Sequence, residues 1–384
     1  MRGVVVAAAI LDDDGNVLVA QRAEPPHLAG WWELPGGKVE PDERDEDALV
    51  RECREELGVT VRLDRRIGGT WPAMDDFVLR AWTARVASAD DVVRPLEHAA
   101  VRWVPPAELG DVDWLPSDHA LAAQLEAVLL GVDDEVPLQG GNVGGAIRVG
   151  RTVRRPCGPW TPAVHALMRH VASRGVPGVP RVLGIDDQGR EVTEFIPGDV
   201  TPSGPWAPWA LTDTFLGDVG HWLAAYHEAV ADFPADGLRF RFGPGDFSPG
   251  ELICHNDVGP HNLVGWEGRL AGVLDWDTAG PSAPMLDLAY TAWGFALADR
   301  LEPFDVRLHR LRVLNAAYGA APESVLAAVE PRILRMIEVV EAGAAAGDEG
   351  LRRLVGLGEM AAHAARLAEF REERPHLERR LSSG

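Results

Sequence analysis

Short apolar runs separated by polar turn residues dominate the first third of the chain. Residues 4–11 and 17–21 are such runs, and the intervening DDDGN at residues 12–16 is a strong turn signal. This pattern predicts a β-hairpin. Two further apolar runs predict strands over residues 77–86 and 100–104.

One segment has the period of a helix rather than that of a strand. Residues 44–57 contain neither glycine nor proline, which favours a helix of about four turns. Its apolar positions form a stripe that would dock on a sheet, and the stripe consists of Ala48, Leu49, Cys53 and Leu57. Cys53 is therefore interpreted as a core residue. A second apolar segment, residues 120–130, predicts a helix that closes this part of the chain.

After residue 130 the pattern changes. Residues 131–139 (GVDDEVPLQ) have no periodic apolar positions and are interpreted as a linker. The charged end, residues 371–384, is predicted to fray. The elements predicted between them are strands over residues 146–149, 152–155, 191–197 and 270–274, and helices over residues 162–173, 214–230 and at several places between residues 285 and 371.

Charge and composition narrow the classes of partner. The net charge is −22, and the first 130 residues carry 13 basic and 25 acidic side chains, so both parts of the chain are acidic. Binding to nucleic acid through a basic face is therefore not expected. No membrane span is expected, and the first apolar run is followed at once by three aspartates, unlike a signal peptide. Three cysteines without a C-x-x-C pair predict free thiols and a cytoplasmic protein.

Three glutamates of the first predicted helix indicate a metal site. Glu52, Glu55 and Glu56 stand at i, i+3 and i+4 and share one face. Carboxylates packed this closely repel one another unless a cation lies between them. A hard divalent ion with oxygen ligands, Mg²⁺ or alternatively Mn²⁺, meets this requirement. Arg51 is expected beside Glu43, where it would hold the preceding loop.

The same segment fits a longer pattern. Residues 37–59 match G-x5-E-x7-R-E-U-x-E-E-x-G-U at every position, with U a bulky apolar residue. The pattern resembles the Nudix box of pyrophosphohydrolases, and the entry WWELPGGKVEP is similar to that of MutT-type and CTP-pyrophosphohydrolase-type members. The resemblance covers residues 1–130 and implies an α/β/α sandwich with a mixed sheet. The residues of the box are Gly37, Glu43, Arg51, Glu52, Glu55, Glu56 and Gly58.

The Nudix resemblance implies further site residues. The Gly36 carbonyl and the Glu97 carboxylate would join the three glutamates of the box around the metal. Arg22 and Leu34 would contact the substrate, and Asp118 would recognise the base of a nucleotide. From the residues alone, Arg22 is also an ordinary end-of-strand residue, Glu97 a surface carboxylate and Asp118 a helix N-cap.

By this resemblance the protein is predicted to be an Mg²⁺-dependent hydrolase of nucleoside triphosphates or related nucleoside diphosphate derivatives. The metal would bridge phosphate oxygens and stabilise the charge that builds up during displacement. A carboxylate would deprotonate the attacking water, and Glu55 and Glu97 both remain candidates for this base. From a nucleoside triphosphate, the products would be a nucleoside monophosphate and pyrophosphate.

A second motif lies late in the chain. Residues 252–262 (LICHNDVGPHN) contain H-x-D-x4-N, and Asp275 follows the next predicted strand. This arrangement resembles the catalytic region of the aminoglycoside phosphotransferase family, which has a bilobal protein-kinase-like fold. The resemblance implies that Asp257 orients an acceptor hydroxyl and that Asn262 and Asp275 hold metal on the phosphates of the co-substrate ATP. It also implies that Asp287 braces this loop.

The residues upstream resemble the N-terminal lobe of that fold less closely. The turn GGNVGG at residues 140–145 would cover the phosphates, although it is equally a flexible hairpin. Glu194 and Ile196, in EVTEFIP, resemble the hinge strand that binds adenine through its backbone.

The expected lysine is missing. Kinases pair a strand lysine with the ATP phosphates, but Lys38, in the Nudix box, is the only lysine of the chain. Arg154 or Arg155 occupies the expected place. Arginine is a planar fork and lysine a compact point charge, so the two are not equivalent at a phosphate site.

Together these observations predict a mixed α+β chain with a Nudix domain at residues 1–130, a linker at 131–139 and a kinase-like domain at 140–384. The N-lobe is placed at residues 140–198 and the C-lobe at 199–371. Three hypotheses remain: a hydrolase fused to a small-molecule phosphotransferase, a hydrolase with a ligand-binding pseudokinase, and a nucleotide sensor without catalysis. The partners are nucleotides or other small molecules, and the oligomeric state is left open.

Overall fold

The computed structural model describes residues 3–73, 77–88, 90–138, 145–201, 204–244, 250–298 and 302–382. The chain forms two compact units. The first comprises Met1–Pro137, Ala146–Pro156 and Leu183–Glu194, and the second comprises Leu138–Gly145, Cys157–Val182 and Phe195–Gly384. This division differs from the domain boundaries predicted at residues 130 and 140, because most of the strands predicted for the N-lobe group with the first unit.

In the part of the first unit that the structure describes, there are three sheets and two α-helices. Its helices are α1 (Asp45–Leu57) and α2 (His119–Leu130). Its strands are β1 (Val4–Ile10), β2 (Val17–Gln21), β3 (Trp32–Glu33), β4 (Gly36–Lys38), β5 (Val61–Pro72), β6 (Val78–Val86), β7 (Ala100–Val104), β8 (Val136–Pro137), β9 (Ile147–Val149), β10 (Thr152–Pro156), β11 (Val182–Ile185) and β12 (Arg190–Glu194).

The predicted hairpin of β1 and β2 is wrong in its pairing. The DDDGN turn forms, but among the described residues the two strands pair at a single bridge, Leu11 with Val17. β1 lies between β4 and β6 in the sheet β4-β1-β6-β5, and β2 lies between β3 and β7 in another sheet. Each strand thus has both of its hydrogen-bonding edges occupied by other partners, and β1 runs parallel to β6, which makes the first sheet mixed.

The predicted helix over residues 44–57 is confirmed as α1. Its apolar stripe is fully buried against β1, and the buried residues are Ala48, Leu49, Cys53 and Leu57. Three acidic residues in its first turn favour the N-terminus of a helix. Gly58 ends the helix with φ 71° and donates its N–H to the carbonyl of Arg54, a left-handed position that glycine adopts without strain.

Helix α2 is apolar on more than one face because two sheets cover it. Leu121 and Leu125 share one core with Leu183 of β11 and Val192 of β12. These strands belong to the sheet β11-β12-β10-β9-β8. The predicted linker at residues 131–139 contributes β8, which pairs with β9, and the short connection therefore belongs to the first unit.

The second unit is mainly helical. Its helices are α3 (Thr161–Ser173), α4 (Asp213–Ala229), α5 (Pro284–Ala292), α6 (Phe304–Tyr318), α7 (Pro322–Ala345), α8 (Glu349–Gly356) and α9 (Glu359–Ser382). Its short strands are β13 (Asp199–Val200), β14 (Arg239–Phe240), β15 (Gly243–Pro244), β16 (Leu252–Cys254), β17 (Leu263–Trp266), β18 (Arg269–Val273) and β19 (Gly280–Ser282). α3 and α4 confirm two predicted helices to within one residue.

The end of the chain is ordered further than the sequence predicts. Helix α9 continues past residue 371, where fraying is predicted, to Ser382. Leu377 and Leu381 on this last part are buried in the core of the second unit, together with Phe370. Their burial supplies the apolar contact that a charged helix end lacks by itself. Within the described residues, no helix has the length and apolar character needed to cross a membrane.

Two candidate active sites

Arg51 organises the carboxylates of α1. Its Nε and Nη2 donate to the two carboxylate oxygens of Glu43 at 3.0 and 2.9 Å, and Nη2 also donates to the carbonyl of Lys38 at 3.1 Å. Nη1 donates to Glu52 at 2.9 Å and to Glu55 at 3.1 Å. One guanidinium therefore fixes the loop before the helix and orients two of the three glutamates, as the sequence predicts for Arg51 and Glu43.

Two glycines of the entry loop give the glutamates room. The φ of Gly36 is +152°, and a Cβ on this residue would stand 2.0 Å from the carbonyl oxygen of Val6. A Cβ on Gly37 would stand 2.3 Å from the carboxylate carbon of Glu52. The Gly36 N–H donates to Glu56 Oε2 at 2.9 Å. The entry loop thus lies directly against the carboxylates. A side chain at Gly37 would displace the Glu52 carboxylate, and one at Gly36 would clash with the backbone of β1.

The electrostatics of this cluster fit a divalent cation. Burial raises the pKa of Glu56 to about 7, with His98 and the Gly36 N–H opposing the rise. Burial also raises the pKa of Glu52, and repulsion from Glu55 and Glu97 adds to it. Among the described residues no basic side chain lies within ion-pair distance of Glu56. Oxygen donors with excess negative charge are the ligands that Mg²⁺ prefers, so the residues present fit this ion.

Glu97 reaches this cluster from a loop. The backbone N–H groups of Arg94 and Leu96 donate to the last two carbonyls of α1, those of Leu57 and Glu56, at 3.0 and 2.8 Å. Helix ends leave such carbonyls without intrahelical partners, and the loop satisfies them. The Glu97 carboxylate is solvent-exposed, yet it acts electrostatically on Glu52. The structure therefore places Glu97 close enough to Glu52 for the two charges to interact.

A second group of polar residues lies near the glutamates of α1, since Glu33 and His98 act electrostatically on Glu56. Arg22 Nη1 donates to Glu33 Oε2 at 2.7 Å, and His98 Nε2 lies 3.3 Å from Glu33 Oε1. Arg22 and Glu33 also act electrostatically on Asp118. Sequence reasoning assigned no role to Glu33 or His98. The available signals were their positions, since Glu33 lies in the entry motif and His98 directly follows Glu97.

Asp118 does not cap α2 with its side chain. It occupies the N-cap position, but its carboxylate makes no capping hydrogen bond and instead accepts from the Ser117 hydroxyl at 2.8 Å. The residue is only 9% exposed, and burial raises its pKa to about 7. Burying a carboxylate lowers the stability of the fold unless a partner compensates, and among the described residues Asp118 neither caps the helix nor forms an ion pair. Its burial therefore favours the ligand-binding interpretation.

The raised pKa of Asp118 gives a stability prediction. Its folded pKa of about 7 lies above the ordinary value of 3.8, so the folded state binds the extra proton between these values and loses stability as the pH rises through them. Asp118→Asn should therefore raise the free energy of unfolding at pH 8 by on the order of 1–3 kcal/mol and change it little at pH 4. Thermal unfolding at both pH values, with exposed Asp111→Asn as control, checks this. Destabilisation at both pH values would show a structural role instead.

Leu34 is in a different environment from the other substrate-binding candidates. Its side chain is 4% exposed and packs in the core of the first unit with residues of β1 and β2. Leu34 could therefore contact a substrate only through its backbone atoms, and its substrate-binding role stays a prediction.

The second unit contains the other candidate site, around Asp257. Asn262 Nδ2 donates to the Asp257 carbonyl at 3.0 Å and to its Oδ2 at 2.8 Å, and His261 Nε2 lies 3.3 Å from Oδ1. Although burial alone would raise it, the pKa of Asp257 is held below its ordinary value by His261 and a hydrogen bond from Tyr290. Asp257 is therefore kept as an oriented carboxylate.

Asn262 and Asp275 offer oxygen atoms that could bind a metal. Both amide hydrogens of Asn262 are used on Asp257, so its Oδ1 is the atom that remains for coordination. The Leu274 N–H donates to the Asn262 carbonyl at 2.8 Å, which ties the loop to the residue before Asp275. Asp275 has φ 60° and acts electrostatically on His261. These oxygen donors fit Mg²⁺.

Asp287 braces the loop, as the family resemblance implies. Its two oxygens accept from the backbone N–H groups of His255 at 3.2 Å and Asn256 at 2.9 Å, and His227 Nε2 lies 3.1 Å away. His227, Cys254 and Asp287 converge like metal ligands. However, burial raises the pKa of the Cys254 thiol well above its ordinary value, and a thiol that stays protonated binds metal poorly.

The arginines at the expected lysine position are held within the first unit. Arg154 is 5% exposed; its Nη2 donates to Gln124 of α2 at 2.6 Å, and its Nη1 lies 3.7 Å from Asp186. Arg155 donates to Glu191 at 2.8 Å. Arg154 thus anchors the sheet β11-β12-β10-β9-β8 to α2, and a nucleotide-binding role for either arginine stays a prediction.

The remaining parts of the predicted ATP site are only partly described. Glu194 ends β12 and pairs with Thr152, whereas Ile196 lies after the strand and packs against Gly272. The predicted strand over residues 191–197 therefore ends early. The predicted turn at residues 140–145 lies outside the described residues, apart from its last glycine.

The sequence matches two family models. Residues 1–125 match the NUDIX domain, and residues 244–327 match APH, the phosphotransferase enzyme family. The first match contains α1 and its glutamates, and the second contains the loop around Asp257.

Three curated proteins with similar sequences illustrate what the chain resembles. The "Putative 8-oxo-dGTP diphosphatase 2" of Mycobacterium tuberculosis is 44% identical over 131 residues, which are 33% of this chain and 91% of that protein. The CTP pyrophosphohydrolase of Escherichia coli is 36% identical over 121 residues, 32% of this chain and 90% of that protein. The trifolitoxin immunity protein of Rhizobium leguminosarum bv. trifolii is 34% identical over 201 residues, 49% of this chain and 75% of that protein.

Proposed function

Since the chain belongs to the Nudix family through residues 1–125, we propose that its first unit is an Mg²⁺-dependent nucleoside triphosphate pyrophosphohydrolase. The products would be a nucleoside monophosphate and pyrophosphate. The second unit is proposed to transfer phosphate from ATP to a small-molecule hydroxyl group.

One observation carries the first proposal. Arg51 orients Glu52 and Glu55 while the Gly36 N–H holds Glu56, so three carboxylates stand against the backbone of an open glycine turn. Burial raises the pKa of Glu52 and of Glu56, so a cation beside them would stabilise their charged forms. Such a cluster is suited to hold a cation together with the phosphates of a nucleotide.

Each residue of this site has a proposed role. Glu52, Glu56 and the Gly36 carbonyl would hold the metal, with Glu55 and Glu97 completing the set. When bound, Mg²⁺ neutralises charge on the phosphate oxygens. Glu55 or Glu97 takes a proton from the attacking water; both are exposed to solvent, and the choice between them stays open.

The opposite side of the site would bind the nucleotide. Arg22 acts electrostatically on Asp118 and would pair with a phosphate. The buried Asp118 would accept hydrogen bonds from the base or donate one to it. The names of the two Nudix relatives support 8-oxo-dGTP and CTP as the first substrates to test.

A nucleotide panel tests this proposal. Purified full-length protein is incubated with Mg²⁺ and 8-oxo-dGTP, dGTP, CTP or ATP, and monophosphate and pyrophosphate are quantified. We expect at least one nucleotide to be cleaved to these two products, and EDTA to stop the reaction. dGTP is the matched control for 8-oxo-dGTP, because the two differ only in the oxidised base. Absence of cleavage for every nucleotide would contradict the proposal.

The proposal that the second unit transfers phosphate rests on Asp257. Its carboxylate is oriented by Asn262, His261 and Tyr290, and it is kept ionised, as expected of a group that orients an acceptor hydroxyl. The net charge of −22 would attract a cationic acceptor. The resemblance to an immunity protein adds trifolitoxin to the acceptors to be tested, beside amine-bearing alcohols such as aminoglycosides. Phosphate transfer from labelled ATP to any of them would support this role.

A further inference from the structure

We infer that Glu33 and His98 are positioning residues of the Nudix site, which hold Arg22 on the nucleotide side and Glu97 on the metal side. The inference rests on the proposed function of the first unit. Neither residue belongs to the Nudix box, and both lie where the two halves of the site meet.

Glu33 divides its carboxylate between the two halves. Oε2 accepts from Arg22 at 2.7 Å, and Oε1 is 3.3 Å from His98 Nε2. The Glu33 and His98 side chains are only 15% and 5% exposed. Hydrogen bonds to a charged group in such a place are stronger than those on the surface, because solvent does not compete for them. The position of Arg22 and that of His98 are therefore set by the same carboxylate.

His98 stands on the loop that carries Glu97. On one side of this pair the Leu96 N–H donates to the Glu56 carbonyl, and on the other the Ala99 N–H donates to the Gln21 carbonyl, both at 2.8 Å. The imidazole points inward to Glu33, whereas the Glu97 side chain is exposed. The contact between His98 and Glu33 thus fixes the peptide on which Glu97 stands, and Glu97 acts electrostatically on Glu52 from that position.

One atom of His98 has no protein partner. Its Nδ1 is buried and makes no hydrogen bond with any described residue. A buried polar atom left in this way costs on the order of 1–3 kcal/mol, which a purely structural position would tend to remove. The unpaired Nδ1 is therefore interpreted as an atom that gains a hydrogen-bond partner when a ligand occupies the site.

A double-mutant cycle between His98 and Glu97 tests the inference. His98→Ala, Glu97→Gln and the double variant are prepared in the full chain, and Mn²⁺ binding is measured by the electron paramagnetic resonance signal of the free ion. We expect each single variant to weaken Mn²⁺ binding by about tenfold, within the range seen when the supporting residues of metal sites are removed. The double variant should match Glu97→Gln alone, because His98 acts through Glu97.

Further variants separate positioning from a loss of folding. His98→Gln keeps an N–H donor for Glu33 and should restore most of the binding, while exposed His221→Ala serves as control. Glu33→Gln weakens the hold on Arg22 and should raise KM for the cleaved nucleotide more than it lowers kcat. If His98→Ala fails to fold, His98→Gln and Glu33→Gln decide the question in the same assays.

The outcomes are distinct for the inference and for the function on which it rests. The inference is overturned if His98→Ala weakens Mn²⁺ binding as much in the Glu97→Gln protein as in the wild type. It is also overturned if His98→Ala leaves Mn²⁺ binding unchanged in both proteins. If the wild type cleaves no nucleotide, the proposed function fails, yet the Mn²⁺ titrations still decide whether His98 acts through Glu97.

Discussion

Replacing Glu56 with glutamine is expected to abolish nucleotide cleavage and, in the metal-free protein, to increase stability at alkaline pH. The amide removes a charged ligand from the proposed metal site but keeps the size of the side chain and an oxygen that accepts from the Gly36 N–H. Loss of residues that only support a metal ligand already costs 10–100-fold, so loss of the ligand itself should lower kcat/KM by at least about 10²-fold.

The gain in stability follows from the pKa of Glu56. Burial raises this pKa from 4.5 to about 7. The folded state therefore holds a proton that the unfolded state has released between these values, and the wild type loses stability as the pH rises from about 4.5 to 7. Without a titrating group, Glu56→Gln should unfold with a free energy higher by on the order of 1–3 kcal/mol at pH 8, and the difference should nearly vanish at pH 4.

Two measurements on one preparation check both effects. Cleavage of the best nucleotide is measured with Mg²⁺, and thermal unfolding is followed in EDTA at pH 4 and pH 8. Glu108→Gln, which neutralises an exposed carboxylate outside the site, should leave both quantities unchanged. A Glu56→Gln protein that is inactive but also less stable at pH 8 would mean that Glu56 is required for folding, and that the loss of activity says nothing about a metal.

Replacing Asp257 with asparagine should abolish phosphate transfer by the second unit and leave nucleotide cleavage untouched. The acceptor hydroxyl would lose the carboxylate that orients it and accepts its proton, an effect of on the order of 10²–10⁴-fold in kcat. An amide here also presents hydrogens towards the Nδ2 group of Asn262, which now donates to Asp257 at 2.8 Å. The two residues would compete as donors, which disturbs Asn262 as a metal ligand.

The prediction also states that phosphate transfer and nucleotide cleavage are independent of each other. Both reactions are followed in one preparation, with exposed Asp236→Asn as the control for the second unit. If Asp257→Asn also lowers nucleotide cleavage, the two sites are coupled and the second unit regulates the first. If the wild type transfers no phosphate to any acceptor while ATP still binds, the second unit acts as a nucleotide-binding pseudokinase.

Variants of Arg154 and Arg155 then separate the remaining hypotheses. Because Arg154 bonds to Gln124 and Asp186, Arg154→Gln is expected to reduce the stability of the first unit rather than to act on phosphate transfer alone. A selective loss of phosphate transfer in either variant, with unchanged unfolding, would instead assign that arginine to the place of the missing lysine.

Much of the first site could be predicted from the sequence because its chemistry is local. Glu52, Glu55 and Glu56 share a face wherever residues 44–57 form a helix, and the spacing of apolar residues decides that they do. The contact of Arg51 with Glu43 spans only eight residues. The loop of Asp257 and Asn262 is likewise short, so its motif specifies both residues together.

The tertiary structure decided what joins distant segments. The contacts of Glu33 with His98 and of Arg154 with Gln124 connect residues 65 and 30 positions apart. No periodicity signals such pairs, because each side chain is typical of its own local segment. The pairing of β1 was wrong for the same reason: apolar alternation identifies a strand but not its neighbours, and only packing in three dimensions chose β4 and β6.

The division into units shows the same limit most clearly. From the sequence, residues 131–139 separate a Nudix domain from a kinase-like one, because polar residues without periodicity mark a linker. In the structure, β8 within that segment and strands β9 to β12 beyond it cover α2, and Leu183 and Val192 complete its core. Local pattern thus determined the motifs of the two candidate sites. Burial of apolar surface on α2, a property of the folded chain as a whole, decided which strands accompany the first of them.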